Sequence, residues 1–320
     1  MQEIGGFIEF EHFAGSMLHE NALALNCGRN CLAYLFKARG IKKLKVPCFI
    51  CDSVLKVCSR EGVKKSFYHI GEDFKPDKEL LLDDDEWLYL VNFYGQLDNE
   101  ELKGYIRKYK RVIIDQANAY FAEHIPGTDT IYTCRKWFGV ADGAFLYTSS
   151  VLTEELPIDE SYDRMRFLMG RYERSASEFY SEYTANNALF ADEPIKRMSK
   201  LTANLLHAID YTAAEKKRRD NFEYLQNKLG TVNNLVPEAS LFMYPLMLNN
   251  GGEIRKLLQK KKIYIPTLWP SVFEITDPED TEYKMARDIL PLPIDQRYGI
   301  DEMEYMVKEI KNVLSEGIGT

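Results

Sequence analysis

The chain has 320 residues, 45% hydrophobic and 28% charged, enough to bury a large core without disulfides. A formal net charge of -8 argues against broad binding to nucleic acid or to an anionic membrane surface. No apolar run reaches the length of a membrane span, and the N-terminus lacks the basic-then-apolar pattern of a secretion signal, so a cytoplasmic protein is expected.

The first half alternates strand-like and helix-like runs. LKVPCFI (44–50) reads as a strand, and DSVLKVCSREG (52–62) as a helix with Asp52 or Ser53 at its cap and Gly62 as its stop. KKSFYHI (64–70) is a second strand, and WLYLVNF (87–93) is a nearly continuous apolar run, as in a strand buried on both faces. DNEELKGYIRKY (98–109) starts acidic and ends basic, which suits a helix dipole. RVIID (111–115) and GAFLYTS (143–149) complete the strands. This alternation predicts βαβ units and a mainly parallel α/β sheet. Ligands of such sheets lie beyond the carboxyl ends of the strands, where Asp115 falls.

The second half reads differently. Residues 163–230 are helical in pattern, with RMSKLTANLLHAIDY and AEKKRRDNFEYLQNKLG as two long helices. A smaller α+β unit follows: strands at 241–248, 263–269 and 289–294, and helices at 253–262 and 300–314. The charge runs DDDE (83–86) and KKRRD (216–220) read as solvated faces. The large unit is expected over 1–200 and the small one over 201–320.

The six cysteines are Cys27, Cys31, Cys48, Cys51, Cys58 and Cys134. Cys27-x3-Cys31 followed by Cys48-x2-Cys51 loosely resembles a four-thiolate zinc site. Cys31, however, sits in an apolar helical run, and Cys48 and Cys51 end a strand-like one. Reduced, buried thiols are expected, and no metal site.

Three features in chain order carry chemistry. In NCGRNCL (26–32), Gly28, Arg29 and Asn30 open a helix whose free N–H groups suit a phosphate, and Arg29 adds charge. In IIDQANAYF (113–121), Asp115 ends a strand, where it either caps the next turn or serves a ligand. In IYTCRKWFGVADGAFLY (131–147), Lys136 sits beside aromatics, where it is either a surface lysine, the commoner case, or a desolvated amine suited to Schiff-base chemistry. A phosphate turn, a carboxylate and a lysine are the parts that pyridoxal 5'-phosphate (PLP) needs.

These segments resemble the sugar aminotransferase (DegT/DnrJ) family of the PLP-dependent fold-type-I enzymes. NCGRNCL is similar to that family's Gly-Thr-x-Ala-Leu phosphate turn, and VNFYGQLDNEEL (91–102) to its Tyr-Gly-Gln turn. IIDQANAYF is similar to its Asp-x-Ala-His/Gln signature, TCRKWFGVADGAFLY to its lysine segment, and PLPID (291–295) to its last strand. The resemblance implies that Lys136 is the Schiff-base lysine and proton shuttle, and that Asp115 pairs with the pyridinium nitrogen. It places Asn118 at the phenolic side of the cofactor. It places Gly28, Arg29, Asn30 and Thr133 at the phosphate. Tyr94 and Phe49 are both candidates to lie near the ring. The chain departs from the pattern with Arg29 in place of a small hydroxyl residue, Asn118 in place of His or Gln, and Cys51 where an aromatic would stack. The function implied is transamination from glutamate to a nucleotide-linked keto-sugar, by a homodimer, in polysaccharide or secondary-metabolite synthesis. Another PLP reaction, such as an aldolase or lyase, and a non-catalytic binding protein are the alternatives.

Overall fold

The chain is described by a computed structural model over residues 4–316. Its main sheet has seven strands in the order β1-β7-β6-β5-β4-β2-β3. The strands are β1 (Leu23–Leu25), β2 (Lys43–Pro47), β3 (Lys64–Tyr68), β4 (Glu86–Val91), β5 (Val112–Asp115), β6 (Asp129–Thr133) and β7 (Ala144–Tyr147). The run β3, β2, β4, β5, β6 is parallel, and β7 is antiparallel to both its neighbours. The expected mainly parallel sheet is present.

Its order follows from the sequence. β5 is buried along its whole length and β4 nearly so, which is why both read as continuous apolar runs. β3 keeps Lys64 and Lys65 exposed at the sheet edge, where their charge discourages pairing with another chain. Crossover helices α2 (Asp52–Arg60) and α3 (Asn99–Tyr109) return the chain for parallel pairing. Asp98 and Glu101 cap α3 reciprocally, Oδ1 accepting from Glu101 N at 2.8 Å and Oε2 accepting from Asp98 N at 3.1 Å. α2 begins one residue earlier than expected, with Cys51 at the cap, and ends before Gly62, whose φ of 66° takes the left-handed turn. Only the short loop 134–143 joins β6 to β7, too little chain for a helical crossover, so β7 turns back antiparallel.

The second half carries α4 (Arg166–Glu173), α5 (Tyr180–Leu189), α6 (Lys200–Leu206) and α7 (Tyr211–Leu229). The first of the two long helices expected here is short. α6 ends at Leu206, and Asp210 starts α7 afresh by accepting from Ala213 N at 2.9 Å. Then come β8 (Met243–Met247), α8 (Gly251–Lys260), α9 (Val272–Ile275), α10 (Thr281–Asp288), β9 (Ile289–Pro293) and α11 (Ile300–Ser315). β8 and β9 pair only with each other. The strand expected at 263–269 is therefore absent: Ile263 and Ile265 are buried, but the segment has no partner strand and Pro266 lacks a donor. A second core gathers Phe222 and Leu225 of α7, Leu246 of β8, Leu290 of β9 and Met303 and Ile310 of α11.

The expected solvated charge runs are corrected at two positions. Glu86 is buried and holds Lys45 at 3.3 Å, and Arg218 is the largest fully buried side chain. Beneath β6 lies buried His19, which donates from Nε2 to the Tyr120 carbonyl oxygen at 2.8 Å. Its ring packs on Tyr132 at a centroid distance of 4.0 Å.

Burial pulls the His19 imidazole from 6.5 down to about 4. The unfolded chain takes up this proton near 6.5 and the folded chain only near 4, so stability falls as pH drops through that window. Urea unfolding at pH 7.5 and pH 5 should show a loss of about 2 kcal/mol from this group, reduced in His19→Phe.

Candidate active site

α1 (Gly28–Ala38) begins at Cys27 with no side-chain cap and no acid in its first turn. Its first N–H groups lack intrahelical partners, as in any helix, and point where an anion would be held. Gly28 lies against β6: a Cβ there would stand 2.7 Å from Thr133 Cγ2. The phosphate turn and Thr133 are thus neighbours.

Two arginines flank this turn. Arg29 donates to the Asn187 carbonyl oxygen at 3.0 Å, and Arg135 donates to the Asn187 side-chain oxygen. Arg135 also lies over the Phe190 ring at 4.7 Å, and burial lowers its pKa from the ordinary arginine value. Among the described residues neither arginine has a carboxylate within 4.0 Å. Two guanidiniums held together without a counter-charge are a site for an anion.

Asn30, expected at the phosphate, is spent elsewhere. Its Nδ2 donates to Asn26 Oδ1 at 3.0 Å and to the Pro194 carbonyl oxygen at 2.7 Å, and its Oδ1 accepts from Arg60 at 3.0 Å. It ties α1 to α2 and to the chain at 193–194. Arg135 takes its place as a phosphate candidate.

Asp115 ends β5, and its two oxygens are aimed differently. Oδ1 accepts from Ala117 N at 2.7 Å, which caps the turn, and Oδ2 accepts from the Tyr89 hydroxyl at 2.7 Å. Both readings of this aspartate therefore coexist, because a carboxylate oxygen accepts more than one bond. Burial and the adjacent Asp115 charge push the Tyr89 phenol well up, so Tyr89 remains a donor. Three residues on, Asn118 is buried and neither its Oδ1 nor its Nδ2 has a partner. Among the buried side chains of the described residues it is alone in having both amide atoms unpaired, and Thr133 Oγ1 is unpaired too. Each such group costs about 1–3 kcal/mol unless a ligand satisfies it.

Lys136 lies in the loop after β6. Of the two readings of this lysine the structure shows the exposed one: the side chain is exposed, with Nζ 5.6 Å from the Phe242 ring. The next residue is fixed instead. Trp137 Nε1 donates to the Ala117 carbonyl oxygen at 3.0 Å, two residues after Asp115. The Trp137 carbonyl oxygen accepts from Arg218 at 3.3 Å and from Gln296 at 2.9 Å. Arg218 stacks on the indole at 4.5 Å and donates to the Leu241 carbonyl oxygen at 2.7 Å. Phe49 and Tyr94, the ring-side candidates, are both fully buried in one aromatic cluster with Phe93 and Trp269. Cys51, at the stacking position, bonds its neighbour Ser53 at 3.1 Å.

No protein-family model matches this sequence, and no curated protein matches it. Solved structures do. The sugar aminotransferase CalS13 from Micromonospora echinospora is 15% identical, with a TM-score of 0.62 over 91% of this chain and 87% of that one. A DegT DnrJ EryC1 StrS aminotransferase from Brucella abortus is 13% identical, with a TM-score of 0.61 over 91% and 85%. NtdA from Bacillus subtilis, solved with bound cofactor PMP, is 12% identical, with a TM-score of 0.65 over 92% and 73%. The chain has the fold of the fold-type-I sugar aminotransferases. The structure brings Gly28, Arg29, Thr133, Asp115 and Asn118 toward the strand ends, and Arg135, Tyr89, Trp137 and Arg218 are residues that the sequence reading did not single out. Arg135 left a sequence signal as the charge between the apolar Cys134 and Lys136. Tyr89 could not be singled out in its apolar run without the strand register that sets it beside β5.

Arg218→Met keeps most of the volume but leaves the Trp137 and Leu241 carbonyl oxygens short of a donor. Chemical denaturation should show a loss of about 3 kcal/mol.

Proposed function

We propose that this chain is a PLP-dependent aminotransferase that moves an amino group from an amino-acid donor, glutamate, to a nucleotide-linked keto-sugar. The observation that carries the reading is the set of unsatisfied groups around the lysine loop: both amide atoms of Asn118, Thr133 Oγ1, and two guanidiniums without a carboxylate. They fit the donors and charges a pyridoxal phosphate needs, and the fold is shared with sugar aminotransferases.

In this reading the N-terminus of α1, Arg29, Arg135 and Thr133 hold the phosphate. Asn118 bonds the phenolic side. Asp115 would pair with the protonated ring nitrogen, and its bond to Tyr89 fixes the carboxylate for that task. The bound cofactor supplies an electron sink for charge developing at the substrate Cα. With the cofactor bound, Lys136 Nζ would be the base that takes and holds the proton from the donor Cα. Among the described residues no carboxylate lies within 4.0 Å of Lys136 to compete for that proton. The Trp137 anchor ties the lysine loop to the turn just after Asp115.

A homodimer in a cytoplasm belongs to the same proposal. Ile4, Phe7 and Ile8 are 98%, 96% and 91% exposed, apolar surface that a second copy would cover, and Lys136 would gain a wall it lacks in one chain. The six free cysteines suit a reducing compartment. Among the described residues no helix is long and apolar enough to cross a membrane. We place the boundary between a large and a small unit near residue 200, in keeping with a second core drawn only from residues after 220.

The test is an absorption spectrum of the purified protein with added PLP, before and after excess glutamate. A visible band that gives way to a near-ultraviolet band on adding glutamate is expected, with no visible band in Lys136→Ala. The same visible band in Lys136→Ala would contradict the assignment.

A further inference from the structure

A second group of reactive side chains lies away from the lysine loop, at the edge of the main sheet. β2 and β3 pair in register through Pro47 and Tyr68, so Cys48 and His69 leave adjacent strand ends together. Cys48 N donates to the Tyr68 carbonyl oxygen at 2.8 Å, which fixes the pair. From the other half of the chain, the first turn of α10 brings in Glu282. Its Oε1 accepts from His69 Nδ1 at 3.1 Å and from Ile70 N at 2.8 Å. The Cys48 sulfur, a His69 ring nitrogen and a Glu282 carboxylate oxygen all lie within 4.8 Å of one another.

The burial is what needs explaining. The Glu282 side chain is 1% exposed, and His69 is its one ionic partner within 4.0 Å among the described residues. That partner is 54% exposed and charged only when protonated. A buried carboxylate without a permanent counter-charge is costly. A cation between the three groups removes the cost.

We propose that Cys48, His69 and Glu282 form a zinc-class divalent-cation site that fastens α10 to the edge of the main sheet. Sulfur, imidazole and carboxylate are each zinc ligands, and a thiolate disfavours magnesium and calcium. Tetrahedral zinc sets its ligand atoms about 3.5 Å apart. Closing the triad therefore takes a shift of about 1 Å, within reach of the half-exposed His69 side chain. The fourth position opens to solvent on the His69 side and takes water. Binding releases the Cys48 thiol proton to solvent as the thiolate coordinates. The site is not the quartet that cysteine spacing suggested. Cys27 caps α1 and Cys31 lies within it, and the partners of Cys48 come from the end of β3 and from α10, which sequence spacing could not bring together.

The test is a cobalt titration of the purified, chelator-treated full chain, followed by displacement with zinc. One equivalent of cobalt with a near-ultraviolet thiolate-to-cobalt band is expected, and zinc should abolish the band. Cys48→Ser should remove the band, and His69→Ala should weaken binding at least about 100-fold. Cys51→Ser should change neither. Zinc should also raise the thermal midpoint of the parent chain and not that of His69→Ala. His69 is half-exposed, so its variant keeps the test valid if Cys48→Ser fails to fold. No stoichiometric uptake, or a band that survives both Cys48→Ser and His69→Ala, overturns the proposal.

Discussion

The arrangement depends on how Trp137 is held. Its indole N–H bonds the chain just after Asp115, its ring lies against the buried Arg218, and its carbonyl oxygen accepts from Arg218 and Gln296. One residue thereby joins the end of β5, the loop after β6, the long helix α7 and the segment after β9. Lys136 precedes it and inherits that position while its own side chain stays exposed. A lysine on a ten-residue loop would otherwise sample many positions. Here the adjacent aromatic carries the order and the amine keeps its freedom.

A second constraint is electrostatic. The N-terminus of α1 and two guanidiniums gather positive charge at one point, and the Asp115 carboxylate sits at a neighbouring strand end. Gly28 permits the closeness, because any side chain there would strike Thr133. The two ends of the site thus have opposite sign, which suits a ligand with an anionic group at one end and a protonated ring at the other. Leaving these groups unsatisfied would cost several interactions of about 1–3 kcal/mol each. In the proposed function the ligand supplies them.

Much of this was legible from residue types. The strands around 44–50, 64–70, 87–93 and 111–115 and the helices between them appear near their expected positions, because buried parallel strands leave apolar runs and α3 carries its own caps. What failed required tertiary knowledge. Residues 263–269 have a strand's composition but no partner. Arg218 reads as one charge in a solvated run, yet the fold turns it inward onto an indole and a set of carbonyl oxygens. Asn30 resembles a phosphate ligand by position, but its amide is taken by carbonyl groups more than 160 residues away. Lys136 has aromatic neighbours in sequence that face the core, so they anchor the loop without drying the amine. The Cys48 cluster shows the same limit, since its ligands come from three separate elements.

The central claim is that Lys136 is the residue this constellation serves. The direct measurement is borohydride reduction of the PLP-loaded protein, followed by peptide mapping for the pyridoxyl label. The account expects one label per chain, on the peptide containing Lys136. A label on another lysine, or one scattered over surface lysines with Lys136 unmodified, would contradict it.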